Sequence, residues 1–156
     1  MKRTVLLFVA MFALAALACA ADDKPNFTGK WVLDTEKSDF GPVPAPTSQS
    51  QEIDHKDPKL KVKTVSKGQQ GETTVETNRT TDGEENTNTM GQAEVKSKTV
   101  WDGKKLVTTM KRQVQGMDID IKDIWEVAED GKSFTITREL KTPQGDFTQK
   151  LLLKKE

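Results

Sequence analysis

The chain has 156 residues, with 24 basic and 24 acidic side chains, one histidine, one cysteine, three tryptophans and no tyrosine. That length suits one domain able to bury a real core. The balanced charge gives no basic excess with which to grip nucleic acid, and a lone cysteine excludes a disulfide framework and cysteine-based metal sites.

Lys2 and Arg3 open the chain, Val5 to Ala18 is an unbroken apolar run of 14 residues, and Ala18-Cys19-Ala20 supplies small residues for cleavage before Ala21. A charged start, an apolar middle and a small-residue end are the three parts of a secretory signal. We therefore read 1–20 as a signal peptide of bacterial type and 21–156 as a single exported domain, secreted or periplasmic. The apolar run falls short of the about 20 residues that a permanent span needs. Cys19 admits an alternative, a lipoprotein anchored through that cysteine, although Ala16 stands three residues before it where such signals usually carry leucine. Cleavage after Ala20 leaves 22 basic and 24 acidic residues, a net charge near −2. Of the 53 apolar residues, 17 lie in the first twenty, so only 36 of the remaining 136 residues are apolar. So low a share suits a sheet with one wet face and a partly polar interior.

Past a polar lead-in at 21–26, alternation with a period of two begins. Phe27, Gly29, Trp31 and Leu33 share one face. The Pro-rich loop at 38–48 follows, with Pro42, Pro44 and Pro46 at every second position; this blocks helix and favours an extended course. Short strand-like runs then succeed one another at 49–55, 58–66, 72–80, 85–90, 93–101, 104–113, 117–127, 133–141 and 146–154. Turn signals separate them, among them the pairs Asp82-Gly83, Asp102-Gly103 and Asp130-Gly131, a strong hairpin dipeptide. The prediction is all-β: an antiparallel up-and-down meander of about ten strands. Closure into a lipocalin-like β-barrel would remove its unpaired edges; an open twisted sheet or a two-sheet sandwich is the alternative.

The segment Phe27-Thr28-Gly29-Lys30-Trp31-Val32-Leu33 resembles the first strand of the calycin group, the lipocalins and fatty-acid-binding proteins, which begin with Gly-x-Trp. Trp101-Asp102-Gly103-Lys104 looks like a turn common in fatty-acid-binding proteins, and the strand number and mature length are similar to that family. The chain also resembles short exported bacterial proteins of unknown function that carry Lys-Ser-x-Phe-Gly-Pro after the first strand, here Lys37 to Pro42. The resemblance implies a barrel that holds an apolar or amphipathic, fatty-acid-like molecule. Two family features are missing. The proline segment stands where a two-helix lid would follow the first strand, and without tyrosine there is no Arg-x-Tyr carboxylate trap.

Period two places Arg112, Asp123, Arg138 and Gln149 on otherwise apolar faces. Charge on such a face is costly unless paired. Arg112 and Arg138 are therefore read as inward guanidinium groups that bind an anionic head group by paired hydrogen bonds. The competing readings are that Asp123 pairs with one of them inside the barrel, or that Arg138 stacks on Trp31. The family resemblance implies an inward arginine nine residues after the tryptophan of the turn; that place is Met110 here, and Arg112 follows two residues on. Because Ile124 and Trp125 are adjacent, a bulge near Asp123 is the expected way to turn it outward. Trp31, Trp125, Met110 and Met117 are candidate cavity lining or plain core.

His55, the only histidine, reads as a solvated turn residue. With no Gly-x-Ser-x-Gly and no second histidine, neither a hydrolase triad nor a zinc site is expected, and no cofactor is implied. Asp82, Glu84 and Glu85 read as a charged hairpin tip. The functional expectation is an exported, non-enzymatic, monomeric carrier of a small hydrophobic or amphipathic molecule. It is not expected to span a membrane or bind nucleic acid. The alternative is a filled barrel that acts as an envelope interaction or inhibitor module without a ligand.

Overall fold

The computed structural model describes residues 24–114 and 116–156; the signal-peptide reading of 1–20, Cys19 included, lies outside the described residues. Ten strands follow in chain order: β1 (Gly29–Leu33), β2 (Ser48–Lys56), β3 (Lys59–Gly68), β4 (Gly71–Thr80), β5 (Asp82–Met90), β6 (Ala93–Asp102), β7 (Lys105–Val114), β8 (Met117–Val127), β9 (Ser133–Thr142) and β10 (Gly145–Lys155). All pairings are antiparallel and form one sheet in the order β4-β3-β2-β1-β10-β9-β8-β7-β6-β5. The pairing of the first strand with the last wraps the meander into a nearly closed barrel, as the alternation predicts, and no helix occurs among the described residues.

The barrel has one seam, between β4 and β5, where no backbone ladder runs. Asparagine side chains bridge it instead. Asn88 accepts from the amide of Asn78 at 2.7 Å and donates to its carbonyl at 3.0 Å, while Asn86 accepts from the amide of Thr80 at 2.6 Å. Each amide group thus takes the place of a strand residue, pairing edge groups that would otherwise be left without partners.

Two glycines are needed by the geometry. Gly29 has φ +143, and a Cβ there would meet the Lys155 side chain at 3.1 Å, which itself lies over the Trp31 ring at 5.4 Å. Gly83 has φ +86 at a register shift between Asp82 and Glu85. Asp82-Gly83 is therefore no hairpin turn. It lies inside β5, where it bends the strand away from β4. Asp102-Gly103 and Asp130-Gly131 do sit in turns, and in the second Asp130 accepts from the amide of Lys132.

The segment after β1 runs on beside β10 without regular pairing. Asp34 donates to the carbonyl of Leu152, Ser38 Oγ accepts from its amide, and Asp39 exchanges two 2.8 Å backbone bonds with Lys150. Phe40 then packs against the core cluster, and its carbonyl accepts from Gln149 Nε2 at 3.0 Å. The stretch before the prolines is thereby fastened to the barrel wall.

Candidate functional site in the barrel interior

Inward side chains divide the interior into three levels. At one end Phe27 packs edge to face on Trp125 and Phe134, and Trp31 does so on Phe134. The Trp31 and Phe134 ring centres are 4.8 Å apart, and those of Phe27 and Trp125 are 5.4 Å apart. Leu33, Ile53, Leu60, Leu106, Ile136 and Leu153 complete this buried cluster. Burial of these side chains and the T-shaped aromatic pairs both stabilise this end of the fold. Trp31 Nε1 donates to the carbonyl of Phe27 at 2.8 Å, which locks the lead-in segment into this end as a plug.

The middle level is polar. The register sets Thr99 opposite Thr108, Thr108 opposite Asp123, Asp123 opposite Arg138, and Arg138 opposite Gln149. Five polar residues thus form a lateral row across β6 to β10. The Thr99 and Thr108 hydroxyls bond at 2.9 Å. Arg138 grips Asp123 by a fork, Nε to Oδ1 at 2.7 Å and Nη2 to Oδ2 at 2.8 Å. Arg79 on β4 joins this level from the facing wall. It is buried, and its Nη1 has no hydrogen-bond partner. Burial lowers its pKa, the Asp123 carboxylate opposes that shift, and Arg138 reinforces it. The Arg138 guanidinium shifts the other way, held charged by Asp123. Asp123 is thus bonded to Arg138 alone, and Arg79 is left without a counter-ion of its own.

The third level is apolar but incompletely covered. Val75, Met90, Ile119, Ile121, Leu140 and Phe147 point inward by register, yet each is only half-buried. Side chains that face the axis and still touch water define an open mouth. Arg138 carries the same sign: 33% of its side chain remains accessible, against 3% for its partner Asp123. These partly exposed inward side chains lie beside the polar row, on the side away from the aromatic end.

The residues singled out by sequence occupy different levels. Arg138 stands in the polar row and is the arginine that pairs with Asp123, the arrangement the competing reading left open between Arg112 and Arg138. Arg112 keeps the inward alternation but lies exposed at the mouth, opposite Ile119. Met110 is buried beside the row, opposite Ile121, and Met117 is half-buried at the mouth. Trp31 and Trp125 lie in the packed end. Arg138 does not stack on Trp31, because Lys155 covers that ring. The alternative of a bulge near Asp123 is not realised: the β8 register is unbroken, Asp123 points inward, and Ile124 is the outward residue, flanked by Val107 and Thr137.

His55 is a second correction. It is 4% exposed, since β2 runs to Lys56 and His55 shares the inward face of Gln51 and Ile53. Asp57 and Pro58 make the turn instead. Asp57 accepts from Trp101 Nε1 at 2.8 Å and from the Thr81 hydroxyl, and these bonds hold its carboxyl below the usual range. Arg79 escaped the sequence reading because β4 offers only Val75 as an apolar marker, too few to say which face is inner. A concavity of about 500 Å³ lies on the outer flank of β2–β4, rimmed by Lys56, Lys59 and Lys61, and reaches Arg79 and Asn86 at the seam. Its charged, exposed rim suits it poorly to bury apolar surface.

This geometry is a nearly closed ten-stranded antiparallel barrel with a fatty-acid-binding-like fold. No family model and no curated protein sequence matches the chain; solved structures do. A secretory abundant heat soluble protein from Ramazzottius varieornatus aligns with TM-score 0.64 at 19% identity, over 83% of this chain and 95% of that one. Zebrafish ileal bile acid-binding protein complexed with cholic acid aligns with TM-score 0.63 at 16% identity, over 83% and 98%. A fatty acid-binding protein from Drosophila melanogaster brain tissue aligns with TM-score 0.52 at 19% identity, over 83% and 99%. At these identities the similarity speaks for the fold.

Proposed function

We propose that the protein is an exported carrier that holds one small amphipathic molecule, fatty-acid-like in character, in the hollow of its barrel. The observation that carries this reading is Arg79, buried with its Nη1 without a hydrogen-bond partner, within electrostatic reach of Arg138, one-third of whose side chain is accessible. An anionic head group would lie at the polar row, with Arg138 Nη1, left free by the fork to Asp123, and Arg79 as donors. The apolar body would rest on Met110, Ile121, Leu140 and Phe147 toward the mouth, where burial yields about 25 cal/mol per Å². The cholic acid and fatty acid named for two structural counterparts fit this chemistry.

The carrier is proposed to act without catalysis, as a monomer, without nucleic acid, and in the periplasm or outside the cell. Anchoring through Cys19 is the alternative. The mature charge near −2 and the burial of the only histidine in the packed end support these points. A second reading, a barrel with no ligand, draws on the heat-soluble counterpart and on the aromatic plug that fills one end. Titrating the purified protein with an anionic fluorescent fatty acid decides between them. Saturable one-to-one binding that unlabelled fatty acid displaces supports the carrier; no binding at millimolar ligand overturns it.

A further inference from the structure

We infer that Asp123 is the residue that sets the charge of the ligand, selecting amphipaths with one negative charge over those with two or none. The inference rests on the carrier reading and goes beyond it to the identity of the selecting group. Among the described residues, three formally charged side chains belong to the inner polar level: Arg79, Asp123 and Arg138. His55 lies on the inward face of β2, two strands from Arg79 in register, and burial keeps it neutral. Asp123 is 2% exposed and has both oxygens on Arg138, so it acts as a built-in counter-ion for that guanidinium. What is left is a single positive charge, contributed by Arg79.

A low-dielectric interior tolerates net charge poorly. A monoanion restores neutrality; a neutral ligand leaves Arg79 uncompensated, and a dianion overshoots beside the Asp123 carboxylate. Asp123 therefore discriminates by charge without supplying any bond to the ligand. This also explains why a fully paired fork is useful in a binding cavity: it fixes the Arg138 plane so that Nη1 is the edge offered to a head group.

The test compares three ligands with the same tail, dodecanoate, dodecanol and dodecyl phosphate, by displacement of one fluorescent fatty acid at pH 8.5. The wild-type protein should bind dodecanoate about tenfold more tightly than either of the others, the ratio that one uncompensated interior charge implies. Asp123→Asn removes the counter-ion and keeps the shape, and should reverse the order of dodecanoate and dodecyl phosphate. An unchanged order in a variant with native circular dichroism overturns the inference. Should Asp123→Asn fail to fold, Arg79→Met gives the answer with Asp123 in place: dodecanoate and dodecanol should then bind alike, and a persisting preference for the carboxylate overturns it. Failure of all three ligands to bind the wild type defeats the carrier reading itself, a result distinct from equal binding of the three, which defeats only the role of Asp123.

Discussion

The amide of Phe27 donates to Nδ1 of His55 at 3.3 Å, across 28 residues of chain. That bond leaves the proton of the neutral ring on Nε2, which is buried without a hydrogen-bond partner, 3.8 Å from Asp57. The ring also stacks beside Phe27 and Trp101, with centres 5.9 and 5.8 Å away. The sole histidine is thus a strut between the plug segment and the β2–β3 turn.

A pH dependence follows. Burial lowers the His55 pKa below its ordinary 6.5, with Asp57 opposing part of the shift. Below pH 6.5 the unfolded chain takes up a proton that the native ring resists, so stability must fall as pH drops from 6.5 toward the lowered native value. One proton limits the slope to about 1.4 kcal/mol per pH unit. Urea melts at pH 7.5 and 5.5 should differ in midpoint, and His55→Gln should flatten the difference. The Asp57 carboxyl adds its own loss only lower, as pH falls below the ordinary carboxylate range.

The polar row makes a prediction by coupling. Arg138→Met leaves Asp123 buried without its partner and should destabilise by about 3 kcal/mol, toward the low end for a broken buried pair because Arg138 keeps some accessible surface. The double variant Arg138→Met/Asp123→Leu should recover more than half of that loss. Additive effects of the two single changes, read from denaturation midpoints, would show that the fork contributes nothing as a pair.

The aromatic end is separable from the hollow. Phe134 is fully buried and makes edge contacts with Trp31 and Phe27. Phe134→Ala should destabilise by about 3–5 kcal/mol and leave ligand affinity unchanged at temperatures where the variant remains folded. A parallel loss of affinity would place the ligand in the packed end instead.

At the seam, Asn86→Ala and Asn88→Ala each remove a side chain that bonds the β4 backbone. Each should lower stability by about 1 kcal/mol and should speed hydrogen exchange at the amides of Asn78 and Thr80 far more than at amides inside the β2–β3 ladder. Uniform acceleration across the sheet would mean that the seam does not open as a separate unit.

Strand number, closure and the inner faces of β7 to β10 were legible in the sequence, because each of these strands carries several large apolar side chains that mark the inner side. The Asp123–Arg138 pair was legible for the same reason. His55 and Arg79 were not, since β2 and β4 mark their inner faces with polar residues such as Gln51 and Thr77, and alternation without apolar contrast has no sign. Asp82-Gly83 misled because a dipeptide reports local backbone preference. Whether two strands actually pair depends on neighbours that the dipeptide does not sense. The level of each arginine along the axis also lay beyond the pattern. Period two tells inside from outside but not mouth from floor, which is why Arg112 and Arg138 read alike.

Because β10 is the partner that flanks β1, the Trp31 and Leu33 side of the barrel waits for residues made some 120 positions later. Local hairpins from β2 to β9 can form as the chain emerges, but the ring has no closing strand until the last of them is free. Folding of this molecule is therefore gated by its final eleven-residue strand, and so long-range a closure belongs to the slow end of small-domain folding, milliseconds to seconds. A chain cut short before Leu151 would carry every turn and nearly every strand, and still leave β1 and residues 133–136 of β9 as raw edges.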